Sequence, residues 1–182
     1  MGMIYLVTGG SGSGKSAYGE RLILSFGEGQ RIYIATMDPG EGEEGRARIA
    51  RHRRMRRGKA FTTIERLRDL GSLRLPGSGP RHVLLECVPN LAANEMFGGG
   101  AAWESPEALA EKILGDIRAV ARQAENLVIV SGQIGEDGCA YDRDTRAYIY
   151  LVGRLNQALA ALAGQADEVV FGIPVRLKGE KA

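Results

Sequence analysis

Gly9-Gly10-Ser11-Gly12-Ser13-Gly14-Lys15-Ser16 is the stretch that decides the fold. It fits the pattern G-x-x-x-x-G-K-[ST], and each part of that pattern has a physical task. The glycines allow successive backbone N–H groups to turn inward as an anion-binding nest. A helix starting at the lysine points its positive end at the bound phosphates. Lys15 is placed to neutralise the β- and γ-phosphates, and the Ser16 hydroxyl to ligate Mg²⁺. Chance would produce about 0.01 such matches in a chain of this composition. The flanks agree with the motif: apolar Met3–Thr8 reads as a strand before it. Lys15–Phe26 reads as a helix after it, with Tyr18, Leu22 and Phe26 on one face.

Outward from this loop, short apolar runs alternate with helical stretches. Strands are expected at Arg31–Ala35, Phe61–Ile64, His82–Glu86, Asn126–Ser131, Glu168–Phe171 and Val175–Leu177. Helices are expected over Gly42–Arg57, Leu67–Leu75, Asn90–Phe97, Pro106–Glu125 and Asp144–Gly164. Ser105-Pro106 reads as an N-cap followed by proline at the first helical position. Such alternation predicts an α/β fold of the P-loop NTPase type. It is a three-layer sandwich with a mostly parallel sheet, helices on both faces and a C-terminal antiparallel strand.

The 182 residues suit one domain. Lys and Arg total 24 against 22 Asp and Glu, a net charge of +2, which argues against a nucleic-acid binder with a pervasive basic surface. No apolar run nears the roughly 20 residues of a membrane span, and Met1–Thr8 does not read as a signal peptide. Cys87 and Cys139 form no CxxC or Cys/His cluster, so neither a zinc site nor a disulfide scaffold is indicated. A reducing, cytoplasmic compartment is expected.

A P-loop needs a carboxylate at the end of a neighbouring strand to organise Mg²⁺. Glu86 ends the apolar run His82–Glu86 and is the candidate, against the plainer reading of a solvated strand end. Between Arg46 and Lys59 lies a run rich in arginine, preceded by Asp38, Glu41, Glu43 and Glu44, as a helix dipole favours. For most of these arginines a solvated helix face is the simpler reading. At helical spacing Arg48, His52 and Arg56 share a face. Cationic neighbours disfavour the imidazolium, and a neutral imidazole is a competent nucleophile toward phosphorus. The guanidinium groups could hold a triphosphate, with Arg48 as the nucleotide-binding candidate. His82, opening a strand after a turn, reads as structural.

These motifs together resemble the bifunctional adenosylcobinamide kinase / adenosylcobinamide-phosphate guanylyltransferase family of cobalamin biosynthesis. The resemblance runs nearly end to end. It rests on Leu6–Ser16, Tyr33–Thr36 (YIAT), Ala47–His52 (ARIARH), Leu84–Cys87 (LLEC), Asn94, Phe97, Gly153–Gln157 (GRLNQ), Ala166–Val169 and Gly172–Lys178. It implies that residues 1–182 form one nucleotide-binding kinase/nucleotidyltransferase domain, with Mg²⁺ as cofactor and ATP or GTP as substrates. It also implies that adenosylcobinamide is phosphorylated, and that His52 then carries GMP from GTP to the resulting phosphate. Assembly as a homo-oligomer is implied too. The chain departs from the family at Ser131-Gly132-Gln133-Ile134-Gly135, where T-N-E-V-G is common, and at Tyr150-Leu151, which replace an Arg-Asp pair. Competing readings are a P-loop kinase of another small molecule with His52 idle, and a non-catalytic nucleotide-binding module.

Overall fold

A computed structural model describes residues 2–38, 47, 50, 54, 58–99, 103–135 and 138–180. Seven strands form one sheet: β1 (Met3–Thr8), β2 (Gln30–Ala35), β3 (Phe61–Glu65), β4 (Arg81–Glu86), β5 (Asn126–Val130), β6 (Gln165–Val170) and β7 (Ile173–Lys178). Their spatial order is β3-β2-β4-β5-β1-β6-β7. All neighbours run parallel except β7, which returns antiparallel beside β6. The helices are α1 (Lys15–Ser25), α2 (Val88–Phe97), α3 (Pro106–Ala121) and α4 (Arg143–Leu162).

The strand pleat sorts side chains between two apolar layers, as a period of two requires. Ile4, Leu6, Ile32, Ile34, Val83, Leu85, Leu127 and Ile129 face a core shared with α2, α3 and α4. Their alternates Val7, Tyr33, Leu84, Val128 and Val130 face α1 through Ile23. Burial on both faces explains why these strands read as continuous apolar runs. The expected sandwich, with helices on both faces and an antiparallel C-terminal strand, is therefore what forms. Gly19 lets α1 lie close to the sheet: a Cβ there would come within 3.1 Å of Leu84 and 3.2 Å of Val130.

Several boundaries differ from the sequence reading. Over Leu67–Leu75 the only helical residues are the 3₁₀ turn Leu70–Ser72. The Arg66, Asp69 and Ser72 side chains bond to each other and to the Asp69 carbonyl, giving this backbone local partners in place of a helical ladder. α3 ends at Ala121, short of the expected Glu125, and α2 starts two residues before the expected Asn90, with Pro89 in its first turn. Ser105 does cap α3, accepting from the Ala108 amide at 3.1 Å. α4 is capped by Asp142, whose carboxylate accepts from the Thr145 amide and hydroxyl at 2.8 Å each. Those bonds hold the Asp142 carboxyl below its ordinary range. Of the charged segment expected to be helical over Gly42–Arg57, only Ala47, Ala50 and Arg54 are among the described residues, and each is helical.

Candidate functional site

The site is built where β1 ends. Gly9, Gly12 and Gly14 all have positive φ (146°, 71° and 94°), which side chains rarely adopt, and so bend the chain into the loop the motif demands. A Cβ on Gly9 would also meet the Val169 carbonyl at 2.5 Å, because the end of β6 presses against the loop. The Gly172 amide at the β6–β7 turn donates to the Ser13 carbonyl at 2.8 Å and braces the loop from the same side. Gly14 is the N-cap of α1 and supplies no side-chain cap, unlike Ser105 of α3 and Asp142 of α4. The first-turn amides of α1 are thus left for an anion. Gly10 and Gly12 have open space where a Cβ would stand, and Ser11 is exposed. Lys15 Nζ folds back to donate to the Gly10 carbonyl at 2.8 Å.

Glu86, at the C-terminal end of β4, is 8% exposed and lies under this loop. The Ser16 hydroxyl donates to its Oε1, and the buried Tyr33 hydroxyl donates to Oε2 at 2.9 Å. The solvated strand-end reading of Glu86 is therefore replaced by a carboxylate held between a P-loop serine and a strand tyrosine. Among the described residues no cluster of three or more His, Cys, Asp or Glu could cage a metal. One carboxylate and one hydroxyl could hold a magnesium ion that takes its other ligands from phosphate and water.

Next to Glu86, Thr36 ties the ends of β2 and β4 together. Its amide donates to the Glu86 carbonyl at 3.0 Å, and its hydroxyl accepts from the Cys87 amide at 2.7 Å. Asn94 of α2 then donates to the Thr36 carbonyl at 2.7 Å and the Leu67 carbonyl at 3.1 Å. Tyr148 of α4 donates to the Pro89 carbonyl at 2.9 Å, and burial pushes its phenol up to about 12, with the Cys87 thiol adding to the effect.

A family profile described as cobinamide kinase / cobinamide phosphate guanyltransferase matches residues 5–177. The chain belongs to that family. Its relatives include two proteins named bifunctional adenosylcobalamin biosynthesis protein CobU. That of Escherichia coli K12 is 35% identical over 185 residues, covering 97% of this chain and all of its own. That of Salmonella typhimurium is 35% identical over 186 residues, with coverage of 97% and 100%. The corresponding protein CobP of Pseudomonas aeruginosa is 31% identical over 175 residues, with coverage of 96% and 97%. A KaiC-like protein of Pyrococcus horikoshii OT3 aligns at a TM-score of 0.48 with 10% identity, over 91% of this chain and 71% of its own.

Within this cobinamide kinase / guanyltransferase chain, Gly9 to Ser16 and Glu86 come together at one edge of the sheet. His52 and Arg48 lie outside the described residues. His82 is structural, as expected: it is 2% exposed, its Nδ1 accepts from Asn126 at 3.0 Å and its Nε2 donates to the Glu28 carbonyl at 3.1 Å. The departures from the family pattern resolve differently. Gly132 sits against the P-loop, where a Cβ would lie 3.7 Å from the Lys15 Cε, and its carbonyl accepts from Asn156 at 3.1 Å. Gln133 is exposed, Leu151 is a fully buried core residue and Tyr150 is 47% exposed. Sequence reasoning missed Tyr33, Thr36 and Asn94 as parts of the site. The register of β2 on β4, which pairs Ala35 with Glu86, is the signal that would have found the first two.

Proposed function

We propose that this chain phosphorylates adenosylcobinamide with a nucleoside triphosphate. It then transfers GMP from GTP, through a guanylylated His52, to adenosylcobinamide phosphate, giving adenosylcobinamide-GDP. The observation that carries the reading is the Lys15–Ser16–Glu86–Tyr33 arrangement at the sheet edge of a chain of this family.

In the first step the aminopropanol hydroxyl oxygen attacks the γ-phosphorus. The bond to the bridging oxygen breaks, the nucleoside diphosphate leaves and the hydroxyl proton passes to solvent. The uncapped α1 amides and Lys15 hold the phosphates, so that the positive charge needed in flight is in place beforehand. Ser16 and Glu86 would hold Mg²⁺, and Tyr33 fixes the carboxylate that faces it. When bound, the ion would supply charge neutralisation to the transferring phosphate. In the second step an imidazole nitrogen of His52 bonds to the α-phosphorus of GTP and pyrophosphate leaves. A phosphate oxygen of adenosylcobinamide phosphate then displaces the imidazole, and Arg48 steadies the charge on the nucleotide.

A homo-oligomer is part of this reading. The β6–β7 hairpin exposes Phe171 (94%) at its turn and Ile173 (66%), Val175 and Leu177 (60%) along the edge strand β7, an apolar patch that a second copy of the chain would cover. A cytoplasmic location belongs to the same reading, since Cys87 and Cys139 are not joined in a disulfide; no described helix is long and apolar enough to cross a membrane.

The test is intact-protein mass spectrometry after incubation with Mg²⁺–GTP, run beside His52→Ala. A GMP-sized adduct on the wild type, absent from the variant, is expected. Nucleotide binding without an adduct would leave a kinase with His52 idle. Light scattering of the purified protein tests the oligomer, and a monomer would remove that part.

A further inference from the structure

Glu20 of α1 is fully buried, and its Oε2 accepts from Lys59 Nζ at 2.5 Å. We infer that this ion pair positions His52 for attack on the α-phosphorus, by tying the segment that carries the histidine to the helix that holds the triphosphate. Glu20 and Lys59 act through His52 and are positioning residues. The inference rests on the guanylyl-transfer reading above, because that reading supplies the nucleophile.

Three observations carry it. The first is the hand of the fold. The steps from β1 to β2 and from β2 to β3 run in the same direction across the sheet. Parallel crossovers are right-handed, so both connections belong on one face. α1 occupies that face, and Lys59, just before β3, reaches across to it. Lys15 and Ser16 open α1, and Glu20 follows one turn after Ser16. His52 precedes Lys59 by seven residues.

The second is the backbone around Lys59. It stands between Gly58 and Ala60, both in the left-handed region with φ 80° and 56°. Glycine adopts that conformation freely, whereas alanine does so at a cost. Such a residue persists where surrounding contacts over-determine it. Lys59 supplies those contacts from two ends. Its ammonium rests on Glu20, and its carbonyl accepts from Arg31 Nη1 at 3.4 Å. The turn into β3 is thus fixed on α1 and on β2 at once.

The third is the make-up of the pair. Among the described residues Lys59 is the partner of Glu20, and the second buried oxygen, Oε1, has none. Apolar side chains often replace a buried ion pair without loss of stability, so stability alone is a weak reason for this one. An ammonium on a carboxylate fixes a distance and a direction, which an apolar contact does not. In-line transfer depends on both, since a misplacement of about 1 Å costs about 10²-fold.

The experiment is single-turnover formation of the GMP adduct from Mg²⁺–GTP, followed by intact-protein mass spectrometry. Steady-state phosphorylation of adenosylcobinamide and the urea midpoint are measured on the same preparations. Wild type is compared with Lys59→Met, Lys59→Arg and the double variant Glu20→Met/Lys59→Met. Lys59→Met strands a buried carboxylate and threatens the fold, whereas the double variant removes that charge and keeps the site apolar. Adduct formation is expected to slow about tenfold or more in the double variant, with kcat/KM for phosphorylation within about twofold of wild type. Lys59→Met should slow it at least as much. Lys59→Arg restores the charge and should recover adduct formation to within about threefold of wild type. Adduct formation at the wild-type rate in the double variant would overturn the positioning role alone. So would an equal fall in both activities with a lowered urea midpoint, which marks a structural role. No adduct on the wild type would overturn the guanylyl-transfer reading, and the positioning role with it.

Discussion

The two edges of the sheet use polar side chains in opposite ways. At the amino edge, polar groups are closed off within the protein. His82 has both ring nitrogens bonded and lies 5.6 Å from the Phe26 ring. Arg81 reaches the Gln123 carbonyl at 3.2 Å, while the Gln123 side chain bonds the Leu73 and Ala119 carbonyls and the Leu75 amide. At the carboxyl edge the bonds are ones a ligand can take over. Lys15 rests on its own loop, Ser16 rests on Glu86, and the buried Ser13 hydroxyl has no hydrogen-bond partner among the described residues. Polar groups that are fully paired inside the fold contribute to stability. Those resting on exchangeable partners can be taken over by a ligand. A histidine at one edge and a lysine at the other are thus distinguished by their partners rather than by their residue type.

That contrast can be broken by substitution. Lys15→Ala should reduce kcat/KM for phosphorylation by about 10²–10³-fold. Its unfolding free energy should stay within about 0.5 kcal/mol of wild type by urea titration. His82→Ala should do the reverse, because it strands the Asn126 amide and the Glu28 carbonyl. The expected cost is about 1–3 kcal/mol of stability with kcat unchanged. Gly19→Val lies between the edges and forces a branched side chain into Leu84 and Val130. A loss of about 1–3 kcal/mol is expected in the same titration. Ser105→Ala removes the α3 cap for about 1 kcal/mol, with no kinetic effect.

A further effect is one of pH. The Tyr148 phenol is raised from 10.0 to about 12 in the folded protein. Its contribution is fully present below pH 10 and is lost as pH rises from 10 toward about 12, since the unfolded chain ionises first. Tyr148→Phe should flatten that slope in alkaline unfolding curves.

Much of the fold was legible because its determinants are local. The glycines of the loop, the apolar runs of β4 and β5, and the Ser105-Pro106 start of α3 each state their conformation within a few residues. Glu86 was legible for the same reason, as the single acid ending an apolar strand. Tyr33 was not. Its ring reads as one more strand residue, and its hydroxyl gains meaning only when β2 lies beside β4. Asn94 reads as a helix residue until Thr36 and Leu67 arrive from two other strand ends. The segment after Arg66 misled for a physical reason, since its polar side chains compete for the backbone that a helix would use. The departures at Gln133 and Leu151 looked alike as lost functional groups. The fold separates them into an exposed loop residue and a core residue.

The most direct test of the carboxyl-edge site is phosphorylation of adenosylcobinamide by Glu86→Gln, with kcat/KM and unfolding free energy measured on the same preparation. Glutamine keeps an acceptor for Tyr33 and Ser16 but removes the charge. A fall of about 10²-fold or more at nearly unchanged stability is the predicted result. Full turnover in that variant would contradict the assignment of Glu86 to the reaction.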